Sequence, residues 1–516
     1  MRTRFASEIH AARRSLRFLA FAASSAGACG CLESSDVERA GAANTAIVAT
    51  TDRGRSMPRP THRSAGAGNF QTTFAPGSWP TDPPPARGTT LWSSTKGGTS
   101  DDYAASVAIT STGTSIVVGG LTGTANVGCG TMAAIGTSDV FVASYDAMGI
   151  CLWSKRFGGG ADTYAMDVVL DASDRIFLTG YFAGSTDFGG GALASVGGYD
   201  GFVLGLSSAG DFAWATRFGG ASDDTPYGIA IAPATAAGPL VIVGGTFAGT
   251  ASFGGGDLVS AGDLDGFVAT YAAPTGAHVW NTRMGGSGYD AVNAIASVGG
   301  AIVIAGTATG SIDLGNGATT PTGGSDVLLA SYTTSGGIVW SKQLGGTGDD
   351  QAYALALDVA GGAHVAGYFS ASASFGGTTT LTASNGTAMF TALYDATGTF
   401  TWAQALDAGG QVIPLGLDVD SDGTTYVTGA FSGSFAARGI ASTGDRDAFL
   451  VAYDSSSSLV LLTSYSGTGS EVGSNLALTT TSVVTVGYFD ATVDFGSGAQ
   501  VTAGKSDMFI AAASKN

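Results

Sequence analysis

Residues 153–212 read WSKRFGGGADTYAMDVVLDASDRIFLTGYFAGSTDFGGGALASVGGYDGFVLGLSSAGDF, and the next Trp, Trp214, opens the same phrase again. Four runs in this stretch alternate apolar and polar residues: Tyr164–Leu170, Arg175–Phe182, Gly201–Ser207 and Asp211–Phe218. A period of two belongs to strands, and the Gly, Asp and Ser clusters between the runs are turn formers. Nowhere does the apolar pattern take the helical period. Four short strands in one repeat of about 60 residues are what one blade of a β-propeller needs. We label the strands a, b, c and d in chain order.

Working outward, the phrase recurs. Trp92, Trp153, Trp214, Trp280, Trp340 and Trp402 are spaced 61, 61, 66, 60 and 62 residues apart, and Leu461 falls on the next beat after 59. Fixed self-similarity defines a repeat architecture. A Gly recurs inside strand b at Gly120, Gly180, Gly245, Gly306, Gly367, Gly429 and Gly487, which marks close approach of another chain segment. Strand a is poor in large residues, as suits the strand nearest a crowded axis. The chain enters on a d-type strand, Thr90–Thr95, and leaves after a c-type strand, Asp507–Ala513. The expected fold is all-β: a seven-bladed β-propeller of four-stranded antiparallel blades over 89–516, closed by the N-terminal strand supplying strand d of the last blade.

Composition agrees. Gly supplies 82 of 516 residues, charged residues only 12%, and Pro 13. Net charge is −18. Beyond residue 88 the chain carries 11 basic and 34 acidic residues, a net of −23, so nucleic acid is excluded as a partner of the repeats.

The N-terminus has the layout of an export signal over 1–28. Arg2, Arg4, Arg13, Arg14 and Arg17 precede an apolar stretch, Phe18–Ala28, too short to span a bilayer. Arg13-Arg14-Ser15-Leu16 resembles a twin-arginine signal. Ala26-Gly27-Ala28-Cys29 resembles the lipobox of bacterial lipoproteins, with Ala26 where that family has Leu; Cys29 is the expected lipid acceptor and Cys31 the alternative. Residues 29–88, rich in Ala, Ser, Thr, Pro and Arg, read as a disordered tether. The expected address is extracytoplasmic: an outer-membrane lipoprotein, periplasmic or at the cell surface, held by its lipid alone and monomeric. Cys129 and Cys151 lie in one repeat, and the strand layout puts them at opposite ends of strand c. A disulfide between them is one alternative, two free thiols the other.

The unit W-S-x-x-x-G-G-x-x-x-D, strand b with V-x-G-x-F, then D-F-G and G-x-D-x-F-V-A-x-Y, resembles the bacterial SBBP (seven-bladed beta-propeller) repeat over roughly 90–516. The departures are Leu461 for Trp, Ala388 for the Asp of strand c, and a displaced Gly409-Gly410. The resemblance implies an exported or surface protein and no common activity.

Candidate sites are carboxylates. Asp102, Asp162, Asp224, Asp290 and Asp350 in the d–a loops, with the Asp that opens strand c, would line one face. Such a ring could hold Ca²⁺, which takes oxygen ligands, or it could brace Gly-rich turns by accepting backbone N–H groups. Asp418, Asp420 and Asp422 match the opening of a Ca²⁺ loop, but its twelfth position is Gly429, and Asp-Gly is also a favoured hairpin turn. No catalytic residues are assigned. The expectation is a binding or interaction module for a protein or polysaccharide, with a carbohydrate-active enzyme (lyase or hydrolase) on the acidic face as the alternative.

Overall fold

The computed structural model describes residues 86–235 and 238–515. The expected signal peptide, Cys29 and all but the end of the tether lie outside these residues. The described chain is all-β apart from one 3₁₀ turn, Ala436–Arg438. None of its helices is long and apolar enough to cross a membrane.

The repeats fold as antiparallel four-stranded meanders of propeller type. In the repeat quoted above, strand a (Thr163–Leu170) pairs with b (Ile176–Phe182), b with c (Asp200–Leu206), and c with d (Phe212–Gly220). The strands match the period-two runs within a residue or two. In the last repeat, strands a (Glu471–Leu478), b (Ser482–Asp494) and c (Ala499–Ser514) have no d strand after them in the chain, and Thr90–Gly98 pairs with strand c instead, from Thr90 opposite Ala513 to Lys96 opposite Met508.

The a strands stand beside one another. Asp102–Ile109 contacts both Thr163–Leu170 and Glu471–Leu478. Each a strand carries a bulge at the same place, for example between Ala104 and Ser106, Ala165 and Asp167, and Gly473 and Asn475. The residue after the bulge meets the next repeat. Asn475 donates to Ser106 Oγ at 2.8 Å, and Ser106 donates to Asp167 Oδ1 at 2.7 Å. Asp167 Oδ2 accepts from the Ile229 N–H at 3.0 Å. A Cβ on Gly416 would come within 2.6 Å of Asn475 Cα. Small side chains in strand a therefore follow from crowding between repeats.

Buried apolar clusters fill the space between consecutive sheets. One joins Val118, Val140 and Phe157 to Val168, Leu178 and Phe202. The recurring Trp works between repeats as well. Trp214 is buried, and its indole N–H donates to Ala273 O in the following repeat at 2.9 Å. Trp92, Trp280 and Trp340 donate likewise to Ala147, Thr334 and Ala396. Each ring lies against a Gly of that c–d turn: a Cβ at Gly210 would meet Trp153 at 2.7 Å, and one at Gly398 would meet Trp340 at 2.7 Å. The period in the sequence is a clasp between neighbours.

The strand layout misplaced the cysteines. Cys129 sits in the b–c loop and Cys151 opens strand d, and they form a disulfide with Cα atoms 5.4 Å apart. The b–c loop folds back as a small hairpin, Thr124–Asn126 with Thr131–Ala133, which carries Cys129 over strand d. A reading confined to four strands could not foresee that hairpin.

Candidate functional site

The d–a and b–c loops gather the acidic residues, and the structure gives most of them backbone partners. Asp102, Asp224, Asp290 and Asp350 open strand a and are buried. Each accepts from the N–H of the last Gly of the preceding d strand: Gly98 (2.7 Å), Gly220 (2.6 Å), Gly286 (2.7 Å) and Gly346 (2.6 Å). The second oxygen of Asp102, Asp290 and Asp350 accepts from the residue after strand b, Thr122, Thr309 and Ser370. Asp162 differs. It is half-buried at the rim and accepts from the Tyr199 hydroxyl at 2.9 Å, while Thr163 takes the inner position.

The Asp that opens strand c is also fixed. Asp139, Asp200, Asp265, Asp326 and Asp507 each accept from the N–H four residues back, at 2.7–2.9 Å. Arg156 pairs with Asp139 at 2.5 Å, Arg217 with Asp200, and Arg283 with Asp265 at 3.4 Å. A third set, Asp187, Asp313 and Asp494, accepts from glycine N–H groups two and four residues on and shapes the b–c hairpin.

The two inner sets meet across repeat boundaries. The first Gly of the Gly-Gly pair lies over these carboxyls: a Cβ on Gly345 would fall 2.5 Å from Asp350 Oδ2 and 2.9 Å from Asp326 Oδ1, and one on Gly219 2.8 Å from Asp224 Oδ2 and 3.1 Å from Asp200 Oδ1. The second Gly lies against the b–c hairpin, with Gly158 and Gly159 opposite Asp187 and Thr186. Burial, with the neighbouring carboxylate adding to it, raises Asp102, Asp224 and Asp350 to about 7, Asp290 to about 6, and Glu471, the equivalent of Asp102 in the last repeat, to about 9. The proton-bound form costs less where water is excluded.

Asp418, Asp420 and Asp422 do not converge on one point. Asp418 accepts from the Val419 and Leu478 N–H groups, and burial raises it to about 6. Asp420 forms an ion pair with Lys515 at 2.7 Å, and Asp422 accepts from Thr424 N–H. No group of three or more His, Cys, Asp or Glu suited to a metal occurs among the described residues. His364 is buried against Thr425 (2.7 Å) and Asp358 (3.4 Å), and His278 lies 2.6 Å from Asn281.

What the carboxylate pattern did not reveal is a set of tyrosines at the same end. Tyr103, Tyr164, Tyr181 and Tyr199 pack together across the first two full repeats, with Tyr164 and Tyr181 centroids 5.1 Å apart and Tyr181 and Tyr199 edge-on at 5.3 Å. Tyr353 and Tyr368 stack at 5.8 Å in a later repeat, and Tyr353 donates to Gln351 at 2.9 Å. The signal was a Tyr beside the opening Asp or Thr of two successive a strands.

No family model and no curated protein matches the chain. Among solved structures, the Neurospora crassa Pan2 WD40 domain is 9% identical, covering 80% of this chain and 90% of that one, with a TM-score of 0.43. The quinohemoprotein alcohol dehydrogenase from Comamonas testosteroni is 9% identical, covering 82% and 76%, with a TM-score of 0.36.

Proposed function

We propose that this chain is an exported, lipid-anchored seven-bladed propeller of the SBBP-repeat type that serves as a binding module. Its ring is closed where Thr90–Gly98 completes the last sheet, and its ligand face is the one built by the d–a and b–c loops. The observation that carries the binding reading is the company those loops keep: half-buried Tyr103, Tyr353 and Tyr368, the first backed by buried Tyr164, Tyr181 and Tyr199, share this end with rim carboxylates Asp223 and Asp349, which are exposed, and Asp101 and Asp162, which are half-buried. Aromatic faces take sugar C–H surfaces or apolar side chains, and rim carboxylates accept hydroxyl or amide protons. A polysaccharide or protein segment fits that chemistry. The enzymatic alternative loses support because Asp102, Asp224, Asp290 and Asp350 are buried under backbone N–H donors.

Export is supported by the Cys129–Cys151 bridge, since disulfides persist in oxidising compartments. Metabolic labelling with an acyl precursor should mark the protein and fail in Cys29→Ala; label kept in that variant but lost in Cys31→Ala moves the anchor, and no label removes it. A glycan and polymer screen, run with and without Ca²⁺, tests the ligand. Binding that survives Tyr353→Ala combined with Tyr103→Ala would move the site off this face. Ca²⁺ dependence lost in Asp420→Ala would place the ion at the 418–422 turn, where it would have to displace Lys515.

A further inference from the structure

Buried carboxylates on neighbouring repeats approach one another at several boundaries, and three of these boundaries lack a compensating Arg. Strand d faces the Asp of strand c with Arg156, Arg217 and Arg283 in three repeats. The equivalent residues elsewhere are Thr95, Gln343, Ser464 and, beside Ala388, Ala405; the first three stand at boundaries with two carboxyls. At those positions stand the pairs Asp507 with Asp102, Asp326 with Asp350, and Asp447 with Glu471.

Each pair contains an oxygen with nothing to accept from. Asp507 Oδ1, Asp326 Oδ1 and both oxygens of Glu471 are buried without a donor, as are Asp200 Oδ1, Asp224 Oδ1 and Asp265 Oδ1 at the boundaries that carry an Arg, so the missing Arg and not the unmet oxygen sets the three pairs apart. The side chains are 0–4% exposed. An unmet carboxylate oxygen in a dry site is costly. A proton on one member turns it into a donor aimed at the other, as in dyads where like charges cannot both ionise.

The repeats themselves supply the contrast. At one boundary the two positions are Ala388 and Val412, and there the first Gly of the Gly-Gly pair is replaced by Asp407. The two carboxyls vanish together there, whereas the Asp447–Glu471 pair keeps both with Ser466 in the first Gly position. At another boundary only one carboxyl remains, Asp139 opposite Thr163. Arg156 neutralises it, and Thr163 hydrogen-bonds Thr186 at 2.9 Å. The pairs Asp200–Asp224 and Asp265–Asp290 likewise have an Arg, Arg217 and Arg283, whereas the three pairs Asp507–Asp102, Asp326–Asp350 and Asp447–Glu471 have none.

We propose that Asp507–Asp102, Asp326–Asp350 and Asp447–Glu471 each share one proton, so that cohesion between neighbouring repeats responds to pH. The other charges near the pairs reinforce proton binding: Asp101 beside Asp102, Asp349 beside Asp350, and Asp490 beside Glu471. Lys505 reaches Asp101 at 3.7 Å but is exposed, Lys96 runs its stem against Gly128, and no ion pair joins Arg446 to its neighbours Asp447 and Glu471.

The direction follows from linkage. Asp102 and Asp350 rise to about 7 and Glu471 to about 9, from ordinary values of 3.8 and 4.5. The folded state then holds more protons than the unfolded chain between those values, so the contribution is complete below the ordinary carboxylate value and is lost as pH rises through 7 to 9. His364, held neutral by burial, works the other way below the ordinary imidazole value of 6.5, and by at most one proton.

The test is thermal denaturation of the protein from about pH 5 to about pH 8, with Asp507→Asn, Asp326→Asn and both together. In each variant one amide oxygen still accepts the N–H four residues back, and the amide N–H supplies the donor that the proton supplied. Wild type should lose melting temperature as pH rises. The variants should melt at or above wild type at the alkaline end, with a shallower pH slope, more so in the double variant. Exposed Asp395→Asn should keep the wild-type slope. Variants that keep that slope, or melt below wild type at the alkaline end, overturn the proposal. A Ca²⁺-induced rise at the alkaline end in wild type that the double variant lacks would assign the pairs to a cation instead. Should the variants not fold, infrared spectroscopy of wild type decides: a buried protonated-carboxyl band that fades between neutral and alkaline pH supports the shared protons, and no such band refutes them.

Discussion

At the scale of the residue, the most demanding positions are glycines defined by what their neighbours leave. Gly345 sits over Asp326 and Asp350, and a Cβ there would press on both carboxyls at 2.9 and 2.5 Å. Overpacking of this kind costs about 1–3 kcal/mol, so Gly345→Ala should lower the unfolding free energy by that amount in a urea titration. The same position in the next repeat is Asp407, above Ala388 and Val412, where no carboxyl pair exists. Asp407→Gly should change stability far less, losing mainly the hydrogen bonds that Asp407 accepts from Ser384 and Gly409. Equal costs for the two substitutions would mean that the carboxyls do not set the glycine. Leu461 belongs to the same logic. Trp92, Trp153, Trp214, Trp280 and Trp340 each lie against a Gly of the c–d turn of the following repeat; beside Leu461 that place is taken by Gly88, hydrogen-bonded to Ser514, and a Cβ on it would clash with the Leu461 side chain.

At the scale of the element, contacts between repeats are made by strand d and the loops that embrace it. Trp214 fills the space beside Phe177 and bonds to Ala273. Its removal leaves a cavity at a boundary between sheets, so Trp214→Ala should cost about 3–5 kcal/mol, and denaturant midpoints would register the loss. The b–c hairpin adds a further tie by pairing with the preceding d strand, and in the first full repeat Cys129–Cys151 locks the hairpin to its own strand d. A bridge closing a loop of this length, 22 residues apart, limits the unfolded chain by about 3 kcal/mol. Reductant should therefore lower the melting temperature of wild type and leave a Cys129→Ser, Cys151→Ser variant unaffected. An unchanged wild-type melt would show the hairpin to be held by its ladder alone.

At the scale of the whole molecule, the ends of the described chain hold each other. Thr90–Gly98 pairs along the last strand, Ser514 Oγ donates to Ala86 O, Arg87 reaches the Tyr426 hydroxyl at 3.2 Å, and buried Lys515 bridges Thr479 O and Asp420. Deleting residues 1–96 should therefore bare a strand edge and cause aggregation, whereas deleting 30–80 should leave the melting temperature nearly unchanged. Light scattering and a thermal melt separate the two, and equal behaviour would rule out closure by the N-terminal strand.

The sequence by itself determined the strands and their order. Period-two runs, turn residues and a fixed beat are local properties; in the repeat from Trp153 they located strands a to d within a residue or two, whereas the last c strand, expected at Asp507–Ala513, runs Ala499–Ser514 because it continues into the b–c hairpin. The sequence also pointed to the carboxylates, because an Asp beside a Gly-rich turn can accept from backbone N–H groups or face a ligand. Only the tertiary structure decided which groups these carboxylates meet. Asp350 accepts from the Gly346 N–H and is buried beside Asp326, 24 residues away in another repeat. The Cys129–Cys151 bridge, the tyrosine clusters and the Trp clasps are likewise contacts across a loop or a boundary. Their distances depend on how sheets stack, which no single repeat encodes.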